Sequence, residues 1–143
     1  LSFVRWFTTE KPNQVLSQVK LAPTGVDEQV GILLSNDAGE MATIALTLHA
    51  KQPKRGTIAY DKGYIELYEY PRGQKAVITY TEDGSQEVIE AGETAKALSY
   101  EVADMEKAVA GIENTMHLAY TQDVMDIMTQ LRKEWGLAYP EEV

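Results

Sequence analysis

Residues 40–50 alternate in character. Ala42, Ile44, Leu46 and Leu48 fall on one side of an extended chain, and Met41, Thr43, Ala45, Thr47 and His49 on the other. Successive strand side chains point to opposite faces, so this pattern predicts a long strand with one apolar face. The second face is small and mildly polar rather than charged, which suits a sheet covered by a partner. The same alternation predicts strands over 14–21, with Val15, Ser17, Val19 and Leu21 on one face, and over 29–34, with Val30, Ile32 and Leu34 inward. Asn36-Asp37-Ala38-Gly39 is the turn into the long strand. Residues 51–56 are basic and hold both Pro53 and Gly56, so they read as a loop. Four more strands follow at 57–60, 64–70, 76–81 and 86–89, joined by turns at Asp61-Lys62-Gly63, Pro71-Arg72-Gly73 and Glu82-Asp83-Gly84-Ser85. Hairpins in series at this spacing make a meander. Over 64–70, Tyr64, Glu66, Tyr68 and Tyr70 share one face, opposite Ile65 and Leu67.

Helical spacing governs both ends. Leu1, Phe3, Val4, Trp6 and Phe7 surround a single Arg5, with no N-cap residue before them and no initiator Met. This reads as the tail of a longer helix, and the chain as a piece of a longer protein. Pro12 forbids its continuation. Near the other end, Ser99 is the expected N-cap of a helix carrying Val102, Met105 and Val109, with Gly111 at its end. After a connector over 112–120, a second helix is expected from Thr121. Val124, Ile127, Met128, Leu131 and Trp135 form its apolar stripe, Gly136 stops it, and Pro140 prevents resumption. One helix, six or seven consecutive strands and two closing helices predict an α+β fold: an open, mostly antiparallel six- or seven-stranded sheet with helices on one face.

Composition narrows the function. The 143 residues suit one domain able to bury a core. A net charge of −9, without a Lys/Arg stripe, argues against nucleic acid. There is no cysteine, which excludes disulfides, thiolate catalysis and Cys-ligated zinc. No apolar run is long enough for a membrane helix, and the cytoplasm is the expected location.

The chemistry-bearing residues are few. His49 and His117 are the only histidines; neither has an activated serine motif or clustered metal ligands beside it, so both read as structural or interfacial. The tyrosines over 64–70 suit packing or a dimer contact, with a ligand site as the other option. Lys51, Lys54 and Arg55 form a solvated basic loop unless they meet an anionic cofactor group. No Gly-rich phosphate loop is present.

Several stretches together resemble the glucose–fructose oxidoreductase / inositol dehydrogenase / MocA family, in its dihydrodiol dehydrogenase-like branch. They are Leu-Ser-Phe-Val-Arg-Trp-Phe at 1–7, Lys-Pro-Asn-Gln-Val at 11–15, Thr-Gly-Val-Asp at 24–27, Gly-Thr-Ile-Ala-Tyr-Asp-Lys-Gly at 56–63 and Ser-Tyr-Glu at 99–101. The closing stretch from Tyr120 to Gly136, with Tyr139-Pro140-Glu141, is the most characteristic. The resemblance implies that residues 1–143 are the C-terminal substrate and dimerisation domain of a two-domain oxidoreductase acting on a sugar, polyol or diol. An N-terminal Rossmann domain of the same protein would bind NAD or NADP and carry the catalytic residues, so no catalytic or cofactor-binding residue is assigned here. Glu10-Lys11-Pro12 matches a catalytic tripeptide of one dehydrogenase family, but there it follows a buried parallel strand; here it follows a helix and reads as a turn. By position, the resemblance places Lys20, Tyr70 and Arg72 at the substrate cleft, with a solvated strand-end lysine as the other reading of Lys20. It also implies a homodimer through the open sheet face. The alternative is a self-contained dimeric binding or scaffold module without catalysis.

Overall fold

The computed structural model describes residues 1–138. The stop assigned to Pro140, and the Tyr139-Pro140-Glu141 match, lie outside the described residues. The element order is helix α1 (Ser2–Phe7), strands β1 (Gln14–Leu21), β2 (Asp27–Ser35), β3 (Met41–Thr47), β4 (Arg55–Tyr60), β5 (Gly63–Tyr68), β6 (Lys75–Tyr80) and β7 (Gln86–Glu90), then helices α2 (Ala97–Val109) and α3 (Leu118–Glu134). The α+β class, the antiparallel pairing and the seven strands agree with the sequence pattern. The ladders form two sheets, β1-β2-β3 and β4-β5-β6-β7. The sequence pattern predicts one open sheet, and the ladder breaks between β3 and β4. The chain falls into two units: residues 1–52 with the chain from 118 onward, and residues 53–117.

The first unit holds the core. Val30, Ile32 and Leu34 of β2 are buried, as their alternation predicts, against Ile127 and Leu131 of α3. Val4, Val15, Ala42, Ile44 and Trp135 close the edges of this cluster. β1 is in register with β2 from Gln14↔Ser35 to Lys20↔Gln29, and the register then shifts at Leu21. Trp135 donates its indole N–H to Ser17 Oγ at 2.9 Å, which explains a polar residue on the inner face of β1. The turn before β3 is pinned as expected. Asn36 Oδ1 accepts from the Glu40 amide, and Gly39 takes φ 82.

Several boundaries differ from the pattern reading. β3 ends at Thr47, not Ala50, because Thr47 Oγ1 accepts from the amides of His49 and Ala50 and turns the chain. β5 ends at Tyr68, because Glu69 adopts φ 50 and ψ 42 and leads into a 3-10 turn, Tyr70–Arg72. Tyr70 therefore leaves the face of Tyr64 and Tyr68. α2 starts at Ala97, fed by a 3-10 turn at Thr94–Lys96, so Ser99 lies inside its first turn rather than capping it. α3 likewise starts at Leu118, three positions before Thr121.

The second unit is a four-stranded meander. Ile58, Ile65 and Ile78 stand opposite one another across β4, β5 and β6. These isoleucines are only half-buried, and the unit's buried residues are Gly56 and Thr79. No helix of the described residues is long and apolar enough to cross a membrane.

Candidate functional site

Lys20 sits at the end of β1, where the register with β2 shifts. Its ammonium donates to Glu28 Oε1 at 2.5 Å, and His49 Nε2 lies 3.4 Å from Glu28 Oε2. Glu28 is 8% exposed, while Lys20 and His49 stand in solvent. A carboxylate so nearly buried needs cations. The hydrogen bond from Lys20 holds the Glu28 carboxyl below the usual carboxylate range, burial works against that shift, and the charges of His49 and Lys20 reinforce it. β3 delivers His49 to this corner through the Leu48 amide, which donates to the Glu28 carbonyl at 3.0 Å. The result is an exposed ammonium and an exposed imidazole held around one fixed carboxylate. Such a group can donate to a hydroxyl or a carboxylate.

Tyr70 and Arg72 lie together in the 3-10 turn of the other unit. The turn is held by its backbone: Glu69 N–H donates to the Lys54 carbonyl, and Thr94 Oγ1 donates to the Arg72 carbonyl at 2.9 Å. Thr94 also donates its amide to Gln74 Oε1 at 3.1 Å. Arg55, read from the sequence as part of the basic loop, opens β4 instead and approaches Glu66 at 3.5 Å.

Lys11 of the Glu-Lys-Pro turn ion-pairs with Asp126 at 2.6 Å and Asp123 at 3.7 Å, which raises its pKa. This ties the turn to α3. Beside it, Arg5 is buried under α3, where Nε donates to Asp123 Oδ2 at 2.7 Å and the guanidinium covers the Tyr120 ring.

Glu28 and Arg5 carry charges that motif matching passes over. Each had a signal in the sequence. Glu28 is in phase with Val30, Ile32 and Leu34, so the alternation assigns it to the inner side of β2. Arg5 is the one cation inside an apolar helix turn.

The described residues do not build a dinucleotide cradle. That site needs a parallel strand, a glycine loop and a helix N-terminus aimed at the pyrophosphate, whereas each ladder here is antiparallel. Among the described residues no cluster of three His, Asp or Glu side chains is placed to hold a metal.

Comparison with known proteins adds a direction. Trans-1,2-dihydrobenzene-1,2-diol dehydrogenase of Xenopus laevis is 26% identical over 142 residues, covering 94% of this chain and 43% of that protein. The protein of the same name in Xenopus tropicalis is 25% identical over 145 residues, with the same coverage. The chain is similar to the C-terminal part of dihydrodiol dehydrogenases. These relatives belong to the glucose–fructose oxidoreductase / inositol dehydrogenase / MocA family, the resemblance read from the sequence. The chain spans under half the length of the relatives it matches. No protein-family model matches it.

Proposed function

We propose that the chain is the substrate and dimerisation domain of a cytoplasmic, two-domain, NAD(P)-dependent oxidoreductase that acts on a sugar, polyol or diol. The observation that carries this reading is the likeness to two dihydrodiol dehydrogenases along 94% of the chain. In this reading a Rossmann domain of the same protein holds the cofactor and the catalytic residues, and the chain alone is inactive. Lys20, Tyr70 and Arg72 are its contribution to the substrate cleft. Lys20, oriented by Glu28, offers an ammonium to a substrate hydroxyl or carboxylate.

The homodimer of this reading uses the outer face of the three-stranded sheet. Leu16, Leu33 and Thr43 stand in one row across that face, and Gln18, Gly31 and Ala45 in the next. Leu16 and Met41 are exposed there, and Gly31 leaves the middle flat. A flat, weakly polar sheet face is suited to a two-fold contact.

The test is a pair of measurements. Titration of NADH and NADPH with the isolated chain is expected to give no fluorescence change. The protein extended by its upstream coding sequence is expected to reduce NAD or NADP with trans-1,2-dihydrobenzene-1,2-diol or a sugar or polyol. Cofactor binding by the chain alone, or no turnover by the extended protein, overturns the reading. Light scattering is expected to show a dimer that Ala45→Arg dissociates; a monomer at high concentration removes the dimer from it.

A further inference from the structure

α2 carries an apolar stripe that its own unit leaves open. Leu98, Val102, Met105 and Val109 recur at i, i+4, i+7 and i+11, which puts all four on one face. They are 50–82% exposed. α2 continues directly from the 3-10 turn Thr94–Lys96, and its Tyr100 hydroxyl accepts from the Glu93 amide at 3.1 Å. The spacing is that of a coiled-coil seam, with successive d and a positions.

The flanking charges select what can lie on this seam. At 100° per residue, Glu101 falls on one side of the stripe and Glu106 on the other. Both are exposed and flank it. The only cation within α2, Lys107, falls on the opposite face, where it pairs with Asp104 at 3.7 Å and Glu113 at 3.6 Å. A second copy of α2 would bring acidic rims against acidic rims, in a chain of net charge −9. Like charges beside a helical seam disfavour pairing, and opposite charges select the partner.

We propose that the α2 face is a docking site for an amphipathic helix of a second protein, one with an apolar a/d stripe flanked by Lys or Arg at e and g. Peptide helices recognised in grooves use this arrangement of spaced apolar anchors.

The test uses the full chain and two labelled synthetic peptides of about 21 residues, three heptads each. Both carry Leu at a and d; one has Lys at e and g, the other Glu. Fluorescence anisotropy is expected to show the Lys peptide binding at least tenfold more tightly, with the difference shrinking as salt rises. Val102→Glu is expected to abolish binding. The double variant Glu101→Lys/Glu106→Lys, at two exposed positions that leave the circular dichroism unchanged, is expected to reverse the preference. Equal affinity for both peptides overturns the proposal, as does a Lys-peptide preference that survives the double variant. A dimer dissolved by Val102→Glu also overturns it, because the occupant is then a second copy.

Discussion

Replacing Arg5 by methionine keeps most of the stem and removes the guanidinium. Three contacts go with it. Nε donates to Asp123 Oδ2 at 2.7 Å, Nη1 donates to the Thr8 carbonyl at 3.0 Å, and the guanidinium carbon lies 4.0 Å from the centre of the Tyr120 ring. The side chains of Arg5 and Asp123 are 9% and 18% exposed. Removing one member of a buried pair costs about 3–5 kcal/mol, chiefly because the other charge is stranded. Asp123 keeps Lys11 at 3.7 Å and some contact with water, which reduces the ionic part to about 2 kcal/mol. The carbonyl and ring contacts add about 1 kcal/mol together. The expected loss is about 3 kcal/mol.

Both tryptophans, Trp6 and Trp135, belong to the first unit, so tryptophan fluorescence during urea unfolding follows that unit. With a slope of about 1–1.5 kcal/mol per molar for a unit of this size, the midpoint should fall by about 2–3 M. The double variant Arg5→Met/Asp123→Leu removes the stranded carboxylate and should lie within about 1 kcal/mol of the parent. A cost below about 0.5 kcal/mol for Arg5→Met, the scale of an exposed pair, would refute the reasoning. So would a double variant that costs the sum of the two single changes.

Other perturbations follow from the same structure. Leu34 is 1% exposed at the centre of the core, so Leu34→Ala should cost about 3–4 kcal/mol by the same urea assay. The Glu40 carboxyl is held below its ordinary pKa by the Asn36 amide and then by the Thr9 N–H and hydroxyl. A carboxyl with a depressed folded pKa stabilises above its unfolded value of about 4.3 and loses that contribution as pH falls through the folded pKa. The difference in stability between the parent and Glu40→Gln should therefore be full at pH 6 and shrink below about pH 4. A Cβ at Gly63 would run into the Thr79 carbonyl across β5 and β6, so Gly63→Ala should open this hairpin. Faster hydrogen exchange in β5 and β6, with β1–β3 unchanged, is the expected readout.

The strands of the first unit were legible because one face of each is more covered than the other, fully so in β2, which fixes a period of two in the sequence. Gln14–Leu21 is bounded as the alternation predicts, and Val30, Ile32 and Leu34 are inward. Alternation failed where a side chain captured the backbone. Leu48 continues the apolar phase of β3, yet the Thr47 hydroxyl ends the strand first. Tyr70 continues the phase of Tyr64 and Tyr68, yet Glu69 turns left-handed before it. The division into two sheets was not legible at all, since a hairpin ladder and a longer sheet share one alternation. The corner of Lys20, Glu28 and His49 was hidden for a different reason. Its members are brought together by strand pairing and a register shift, and no local spacing encodes either.

Burial separates the two units. Each buried apolar side chain of the core among the described residues, from Val30 to Leu137, belongs to the first. The second spans residues 53–117 and keeps Ile58, Ile65 and Ile78 only half-covered, with Val88, Ile89 and the α2 stripe open. A unit of about 65 residues is already marginal when compact, because so much of its surface stays wet. This one holds its form by backbone ladders rather than by a closed core. Ile58, Ile65, Leu67, Ile78 and Ile89 nevertheless share one face of the sheet, with Val77 and Val88 on the other, and the helix seam keeps a single phase. Regular apolar phase on a surface that remains wet is better explained by a surface meant to be covered than by an unselective one.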